Sequence, residues 1–423
     1  MHDVERGCYL GRTGTTNVFS GARRSTLVLG PTRSGKTSAL LVPNVLLARC
    51  AVVTTSTKDD VVRATSHRGR VGHVHLFDPS GTTSCPPGVT RVGWSPIDAA
   101  RSWDAAVHTA DAMVDAARLR SRGAGSVDHW SERARALLAP LLHAAALGNH
   151  GIPRLAGWVD AREGREALGT LVARTGDAHP APLSLGGLLA TDARELSGIW
   201  STTAGVLSAW RTEAARAAGA APPLDVARFL DGANTLHVVS PARHQVATAP
   251  LIAGMLDAIV HATYERHERG ASLLLALDEL ANVAPLPSLP SFVSEGAGQG
   301  VVVLGCLQDL SQARVRWGTA ADGFLSLFPT TVVLPGIADR ATLDALSQLA
   351  GRHDVLATTV ASSRTGRTTS SRSLVQRPRL APDEIARGRP GCALAVDAGK
   401  RLGWVELTPA HLDARLVAPR SLS

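Results

Sequence analysis

Gly30-Pro31-Thr32-Arg33-Ser34-Gly35-Lys36-Thr37 fits the spacing G-x-x-x-x-G-K-[ST], and its surroundings are those the pattern needs. The apolar run Thr26-Leu27-Val28-Leu29 before it reads as a buried strand, and a helical pattern runs from Thr37 to Ala48 after it. A glycine loop between strand and helix turns backbone N–H groups inward, and the helix N-terminus adds partial positive charge. Such a loop cradles the β- and γ-phosphates of a nucleotide. Lys36 reaches the same oxygens, and the Thr37 hydroxyl is a ligand for Mg²⁺. The expected binding residues are therefore Gly30, Pro31, Thr32, Arg33, Ser34, Gly35, Lys36, Thr37 and Ser38. Lysine occurs only at positions 36, 58 and 400, so a lysine at the required place is not a by-product of composition.

A second stretch completes the chemistry. Leu273-Leu274-Leu275-Ala276-Leu277 reads as a buried strand that ends abruptly in Asp278-Glu279. Folding alone does not favour two carboxylates there, because buried charge must be paired or solvated. At the carboxyl end of a parallel strand beside the phosphate loop, Asp278 can hold the Mg²⁺ hydration shell while Glu279 polarises the attacking water. The two stretches form a Walker A and Walker B pair and predict an ATPase using ATP and Mg²⁺.

At 423 residues and 44% hydrophobic, the chain can bury a large core divided over two or three folding units. Forty-four basic residues against 36 acidic give a net charge of +8, and all but three of the basic residues are arginine. That balance fits a polyanionic partner and fits an arginine-rich coding bias equally well. The five cysteines (Cys8, Cys50, Cys85, Cys306, Cys392) form no C-x-x-C pair, which argues for a reducing compartment and against a disulfide framework or zinc site. His73 and His75 alternate along a strand-like run, and a solvated strand face explains them better than a metal. No window approaches the ~20 apolar residues of a membrane span; the nearest, 40–53 and 136–147, are broken by Pro43, Asn44 and Arg49, and by Pro140 and His143.

Short apolar runs at 26–29, 51–55, 71–77, 235–239, 273–277, 301–306 and 330–334 alternate with helical patterns, the signature of an α/β fold with a mainly parallel sheet. Between Trp103 and Phe229 the alternation stops, and the segment reads as an all-helical insertion. The expected organisation is a nucleotide-binding domain in two parts, 1–102 and 230–423, around an inserted all-α domain, 103–229. Residues 357–380, rich in Ser, Thr and Arg, read as a flexible loop or one that contacts phosphates. A small β unit, 392–396 and 403–407, closes the chain.

Further signatures follow in a fixed order: Val42-Pro43-Asn44, Ser56-Thr57-Lys58-Asp59-Asp60, Phe77-Asp78-Pro79, Leu277-Asp278-Glu279-Leu280-Ala281-Asn282 and Gln308-Asp309-Leu310-Ser311-Gln312. With the phosphate loop, they resemble the type IV coupling proteins, the conjugative DNA-transfer ATPases of type IV secretion systems, over nearly the whole chain. The resemblance implies a RecA-like P-loop NTPase working as a homo-hexameric ring that draws single-stranded DNA, with its attached relaxase, to the secretion channel proteins. It also implies that the helical insertion helps recruit the relaxosome, and that Gln308 senses the γ-phosphate or orients water as a second catalytic residue beside Glu279. Lys58 takes a structural or site-edge role, with a salt bridge to Asp59 or Asp60 as the alternative.

Two features depart from the family pattern. Members usually begin with transmembrane helices, whereas this chain reaches its phosphate loop at residue 30. It is expected to be soluble and to work at the cytoplasmic face of the membrane, with any anchor on a separate polypeptide. Many relatives also carry an arginine before the strand at Val301, aimed at a neighbour's nucleotide, and here Glu295-Gly296-Ala297-Gly298-Gln299-Gly300 has no basic residue. Arg314, Arg316 and Arg340 lie downstream as substitutes. Two other readings stay open. One is an adaptor that binds ATP with slow or no hydrolysis and delivers protein cargo; the other is a double-stranded DNA pump resembling the chromosome-segregation translocases.

Overall fold

The computed structural model describes residues 7–118, 126–283, 286–362, 368–397 and 401–417. In chain order the strands are β1 (Tyr9–Thr13), β2 (Thr16–Phe19), β3 (Thr26–Leu29), β4 (Ala51–Ser56), β5 (Val74–Phe77), β6 (Val89–Arg91) and β7 (Thr235–Val239). They continue with β8 (Leu273–Leu277), β9 (Val301–Leu307), β10 (Thr330–Val333), β11 (Arg352–Ser362), β12 (Thr368–Pro378), β13 (Cys392–Asp397) and β14 (Arg401–Glu406).

Twelve of them build one sheet in the order β2-β1-β14-β13-β10-β3-β9-β8-β4-β7-β5-β6. From β10 to β6 every neighbour is parallel; β13, β14, β1 and β2 continue the sheet antiparallel. The central strands are buried along their whole length because helices cover both faces, which is why they read as unbroken apolar runs. Alternate residues divide between the two sides. Leu27, Leu29, Leu273, Leu275 and Leu277 enter one apolar cluster, while Val28, Leu274, Ala276, Val302 and Leu304 enter the other. β1, β2 and β6 were not anticipated: they lie at or near the sheet's edges and mix polar with apolar residues. β1 is tied to the helix behind the glycine loop by Asn44, whose amide accepts from Tyr9 N–H (2.7 Å) and donates to the Tyr9 and Leu40 carbonyls (both 2.9 Å).

Between β6 and β7 the described residues form helices without a strand. The 22-residue helix Ser126–Leu147 lies at the centre of Trp103–Arg118, Ile152–Ala161, Arg165–Thr175, Pro180–Leu189 and Ala193–Val206. The segment's ends are pinned together, since Gly93 N–H donates to Pro222 O (2.7 Å) and Leu224 N–H to Gly93 O (3.0 Å). A Cβ at Gly93 would lie 2.4 Å from Ala221 O, so only glycine fits. Helix Gln245–Arg266 joins this segment to the sheet, packing on Trp103–Arg118, and one continuous apolar core includes both.

Two expectations are corrected. The stretch Gln245–Arg269 is long and apolar enough to cross a membrane, although no sequence window was expected to be. With 72% of its apolar window buried, it serves here as a core helix. Residues 357–380, expected as a loop, instead belong to a hairpin in which β11 and β12 pair antiparallel from Arg352↔Pro378 to Ser362↔Thr368. Its polar composition excludes a core but not a ladder, because alternate residue pairs exchange backbone hydrogen bonds across the strands while the outward-facing groups are left to water. Arg364 and Arg367 lie outside the described residues.

A buried polar knot ties β7 to β4 and to the helix Asp60–Thr65 toward the β6 end of the sheet. His237 on β7 shares hydrogen bonds with the hydroxyls of Thr54 (2.7 Å) and Thr65 (3.2 Å). Burial, with the Arg68 guanidinium nearby, pushes its pKa down to about 3. Arg68 itself is buried and donates to Thr235 Oγ1, Val45 O, Ala48 O and Cys50 O. A histidine with a depressed folded pKa contributes stability that is complete above its unfolded value near 6.5 and lost as pH falls toward about 3. Thermal unfolding followed from pH 7 to pH 4 should therefore show a falling midpoint. His237→Gln should flatten that fall by an amount on the order of a few kcal/mol.

Candidate functional site

The carboxyl ends of β3, β9, β8 and β4 lie side by side on one edge of the sheet, which is where open α/β sheets place their ligands. β3 delivers the glycine loop, β8 delivers Asp278-Glu279, and β9 between them delivers Gln308. Gly30 N–H donates to Leu307 O (3.2 Å) and Asp278 N–H to Thr55 O (3.2 Å), so the loop and the acid pair are each hung on the neighbouring strand.

Within the loop Arg33 and Gly35 have positive φ, 64° and 95°, and Gly35 opens the helix at Lys36–Leu41. That first stretch is wound as a π-helix before it tightens at Val42–Leu47. A Cβ on Gly30 would approach both Leu334 Cβ and Ser34 Oγ at 2.8 Å. Ser34 Oγ is buried and has no hydrogen-bond partner. A buried hydroxyl without a partner costs about 1–3 kcal/mol, so the loop holds a donor waiting for an acceptor. Lys36 is buried and its ammonium donates to the carbonyls of Gly30 and Pro31, the latter at 2.9 Å.

The contact that unites the two motifs is Thr37 Oγ1 donating to Asp278 Oδ2 at 2.8 Å, across 241 residues of sequence. Hydroxyl and carboxylate together are the oxygen donors that a hard cation takes, inside the loop's positive end. Glu279 sits at φ 51°, a conformation costly for a residue with a side chain. Asn282 Nδ2 donates to Glu279 Oε2 (3.0 Å) and fixes its direction. Ser34 is among the expected binding residues, whereas Asn282 has no sequence reading of its own beyond membership in the Leu277–Asn282 signature.

Burial raises the pKa of Asp278, opposed by the Thr37 hydrogen bond and assisted by the charge of Glu279. The ionised form is the costly one, so the metal-free protein loses stability as pH rises through this group's folded pKa. Asp278→Asn keeps an acceptor for Thr37 and removes the charge. It should raise the metal-free unfolding midpoint at pH 7.5 by roughly a degree or two, the scale of about 1 kcal/mol in a chain this large. The extra stabilisation that Mg²⁺ gives to nucleotide-bound protein should vanish in the same variant.

Other signature residues, and the downstream arginines, have local partners of their own. Asp78 is 2% exposed and accepts from Ser80 N–H (2.8 Å), Gly81 N–H (3.1 Å) and Thr83 N–H (2.6 Å), so it fastens the turn after β5. Lys58 is exposed; of its two expected partners Asp59 is taken by Arg63 at 2.7 Å, and Asp60 accepts from Val61 N–H at 2.8 Å. Gln308 N–H donates to Gln312 Oε1 (3.0 Å), which explains the second glutamine of that motif as a clasp for the first. Arg314 is held by Asp322 (3.2 Å) and Asp339 (3.3 Å), and Arg340, 93% exposed, faces Asp344 (3.5 Å). Arg316 is half-buried, and burial pushes its pKa down.

A family model described as type IV secretory system conjugative DNA transfer matches residues 3–389. Conjugal transfer protein TraG of Escherichia coli is 26% identical over 451 residues, covering 95% of this chain and 67% of that protein. Plasmid coupling protein TrwB in complex with the non-hydrolysable GTP analogue GDPNP has a TM-score of 0.67 at 22% identity, over 91% of this chain and 86% of that one. TrwB in complex with ADP and Mg²⁺ has a TM-score of 0.66, also at 22% identity, over 92% and 85%. At that identity the structural likeness establishes the fold, a RecA-like P-loop NTPase with an all-α region.

Proposed function

The chain belongs to the type IV secretory system conjugative DNA transfer family, and on that premise we propose that it is an ATP-driven coupling protein. In this reading it recruits single-stranded DNA with its attached relaxase, and as a ring, a homo-hexamer, pumps it to the type IV secretion channel from the cytoplasmic face of the membrane. The observation that carries the enzymatic part is the 2.8 Å bond from Thr37 to Asp278 beside the partnerless Ser34 hydroxyl.

Gly30 to Ser38 wrap the phosphates, with Lys36 exchanging its two loop carbonyls for phosphate oxygens and Ser34 gaining the acceptor it lacks. Thr37 and Asp278 hold Mg²⁺, which when bound offsets charge developing on the transferred phosphoryl group. Glu279, aimed by Asn282, takes the proton of the attacking water. Gln308, at the strand end between the loop and the acid pair, supplies an uncharged donor and acceptor for orienting that water. The solved TrwB complexes with ADP and Mg²⁺ and with an ATP analogue support this choice of ligands.

A direct test is displacement of streptavidin from a biotinylated single strand. The reading expects displacement that requires both ATP and Mg²⁺, and displacement without nucleotide, or none with it, contradicts the motor. One observation favours the adaptor reading instead: the segment 295–300 has no basic residue and Arg314 is committed to two aspartates of its own chain. An arginine supplied by a neighbour is worth roughly 10³ to 10⁵ in rate. The adaptor reading expects ATP binding without turnover even when DNA is present.

A further inference from the structure

The β11–β12 hairpin takes no part in the nucleotide site, and in sequence its residues read only as a flexible or phosphate-contacting loop. Its strands are 11 residues each, so it extends about 37 Å, and it belongs to a sheet of its own rather than to the central one. The base is fastened: Arg379 N–H donates to Gly351 O (2.9 Å), and Ser347 Oγ to Leu380 O (2.7 Å). An isolated two-stranded ribbon is marginal in water, so one this long without a covering layer is a surface meant to be covered.

We propose that this hairpin is a contact arm for the phosphodiester backbone of nucleic acid. The inference rests on the reading above that the chain handles DNA, and it names a surface that reading did not. The two strands carry Arg352, Arg372 and Arg377 against the single acid Asp354. Arg372 and Arg377 are exposed and form no ion pair among the described residues. Exposed hydroxyls lie among them at Thr358, Thr359, Ser370, Ser371 and Ser373. Arginine and hydroxyl side chains are the usual donors to phosphate, and they position a duplex or strand without reading its sequence.

Register sharpens the picture. Thr358 faces Arg372 and Leu356 faces Leu374 in the antiparallel ladder, so all four lie on the same face of the ribbon. Leu356, Leu374 and Val360, 60–69% exposed, give that face an apolar strip beside its cation and hydroxyl, suited to sugars flanked by phosphates. A two-stranded ribbon also has the dimensions that a DNA groove admits. Phe, Tyr and Trp are absent from both strands, so the stacking that holds single bases is missing and the contact is with the backbone.

The test compares the full chain with its Arg372→Gln/Arg377→Gln variant, measuring affinity for a 30-nucleotide single strand and for a duplex of equal length across a salt series. Arg377 faces His353 on the side of the ribbon opposite Arg372, so losing one phosphate contact lowers the slope of log K against log salt by about 0.7 on single strands or about 0.9 on duplex, and losing both, where backbone passes on both sides, by about twice that. The substrate showing that loss is the arm's partner. Nucleotide binding should be unchanged in the variant, as both positions are remote from the glycine loop in the chain and exposed. If the unaltered chain binds and the variant's slopes equal its own on both substrates, the inference is overturned while the functional reading stands. If the unaltered chain binds neither substrate, both fall. A Leu356→Ser/Leu374→Ser variant that breaks up an assembly of this chain while leaving DNA affinity intact assigns the arm to a second copy and overturns the inference.

Discussion

Glu279→Gln should leave ATP affinity near normal and lower turnover by roughly 10²- to 10⁴-fold, the usual contribution of a positioned general base. The substitution is close to isosteric, and its amide oxygen can still accept from Asn282 Nδ2, now 3.0 Å from Glu279 Oε2. The cost of φ 51° is shared by both residues, so stability should barely change. What is deleted is the group that takes a proton. Equal turnover in the variant and the unaltered protein would remove Glu279 from the mechanism, leaving Asp278 and Gln308 as the polar groups at those strand ends.

Lys36→Ala acts earlier, on binding. A charged hydrogen bond is worth about 1.5–3 kcal/mol, so nucleotide affinity should fall roughly 10- to 150-fold. Titration calorimetry or the nucleotide-dependent rise in unfolding temperature reads this directly, since stabilisation by a ligand follows its concentration over Kd. Without nucleotide the variant should melt near the unaltered protein. It loses two bonds to Gly30 and Pro31 carbonyls, but also a buried ammonium whose desolvation those bonds offset. Retained affinity would mean the loop binds phosphate through its backbone alone.

The parts of this molecule that were legible share one cause. A parallel strand covered on both faces must be apolar throughout and must stop where the chain reaches the ligand edge. Thr26–Leu29 before the glycine loop and Leu273–Leu277 before Asp278 both obey this rule and occupy the expected residues. The hairpin was not legible as structure because its Ser, Thr and Arg residues signal the absence of a core, although the β-branched Val355, Thr358, Thr359 and Val360 favour an extended backbone. Two signature residues had no role legible in the sequence. Asp78 and Asn44 look like site residues by type, yet three-dimensional packing assigns them to a turn and to the docking of β1. The left-handed backbone of Glu279 leaves no trace in sequence, because positive φ at a residue other than glycine is imposed by its surroundings.

The central claim is that the loop at Gly30–Thr37 and the acids at Asp278-Glu279 form one site whose ATP turnover answers to single-stranded DNA. Steady-state ATP hydrolysis with Mg²⁺ at low salt, with and without a single-stranded oligonucleotide, measures this most directly. The account predicts turnover that rises with the oligonucleotide, declines as salt is added, and is absent from Glu279→Gln. Turnover indifferent to DNA, or equal in that variant, would contradict it.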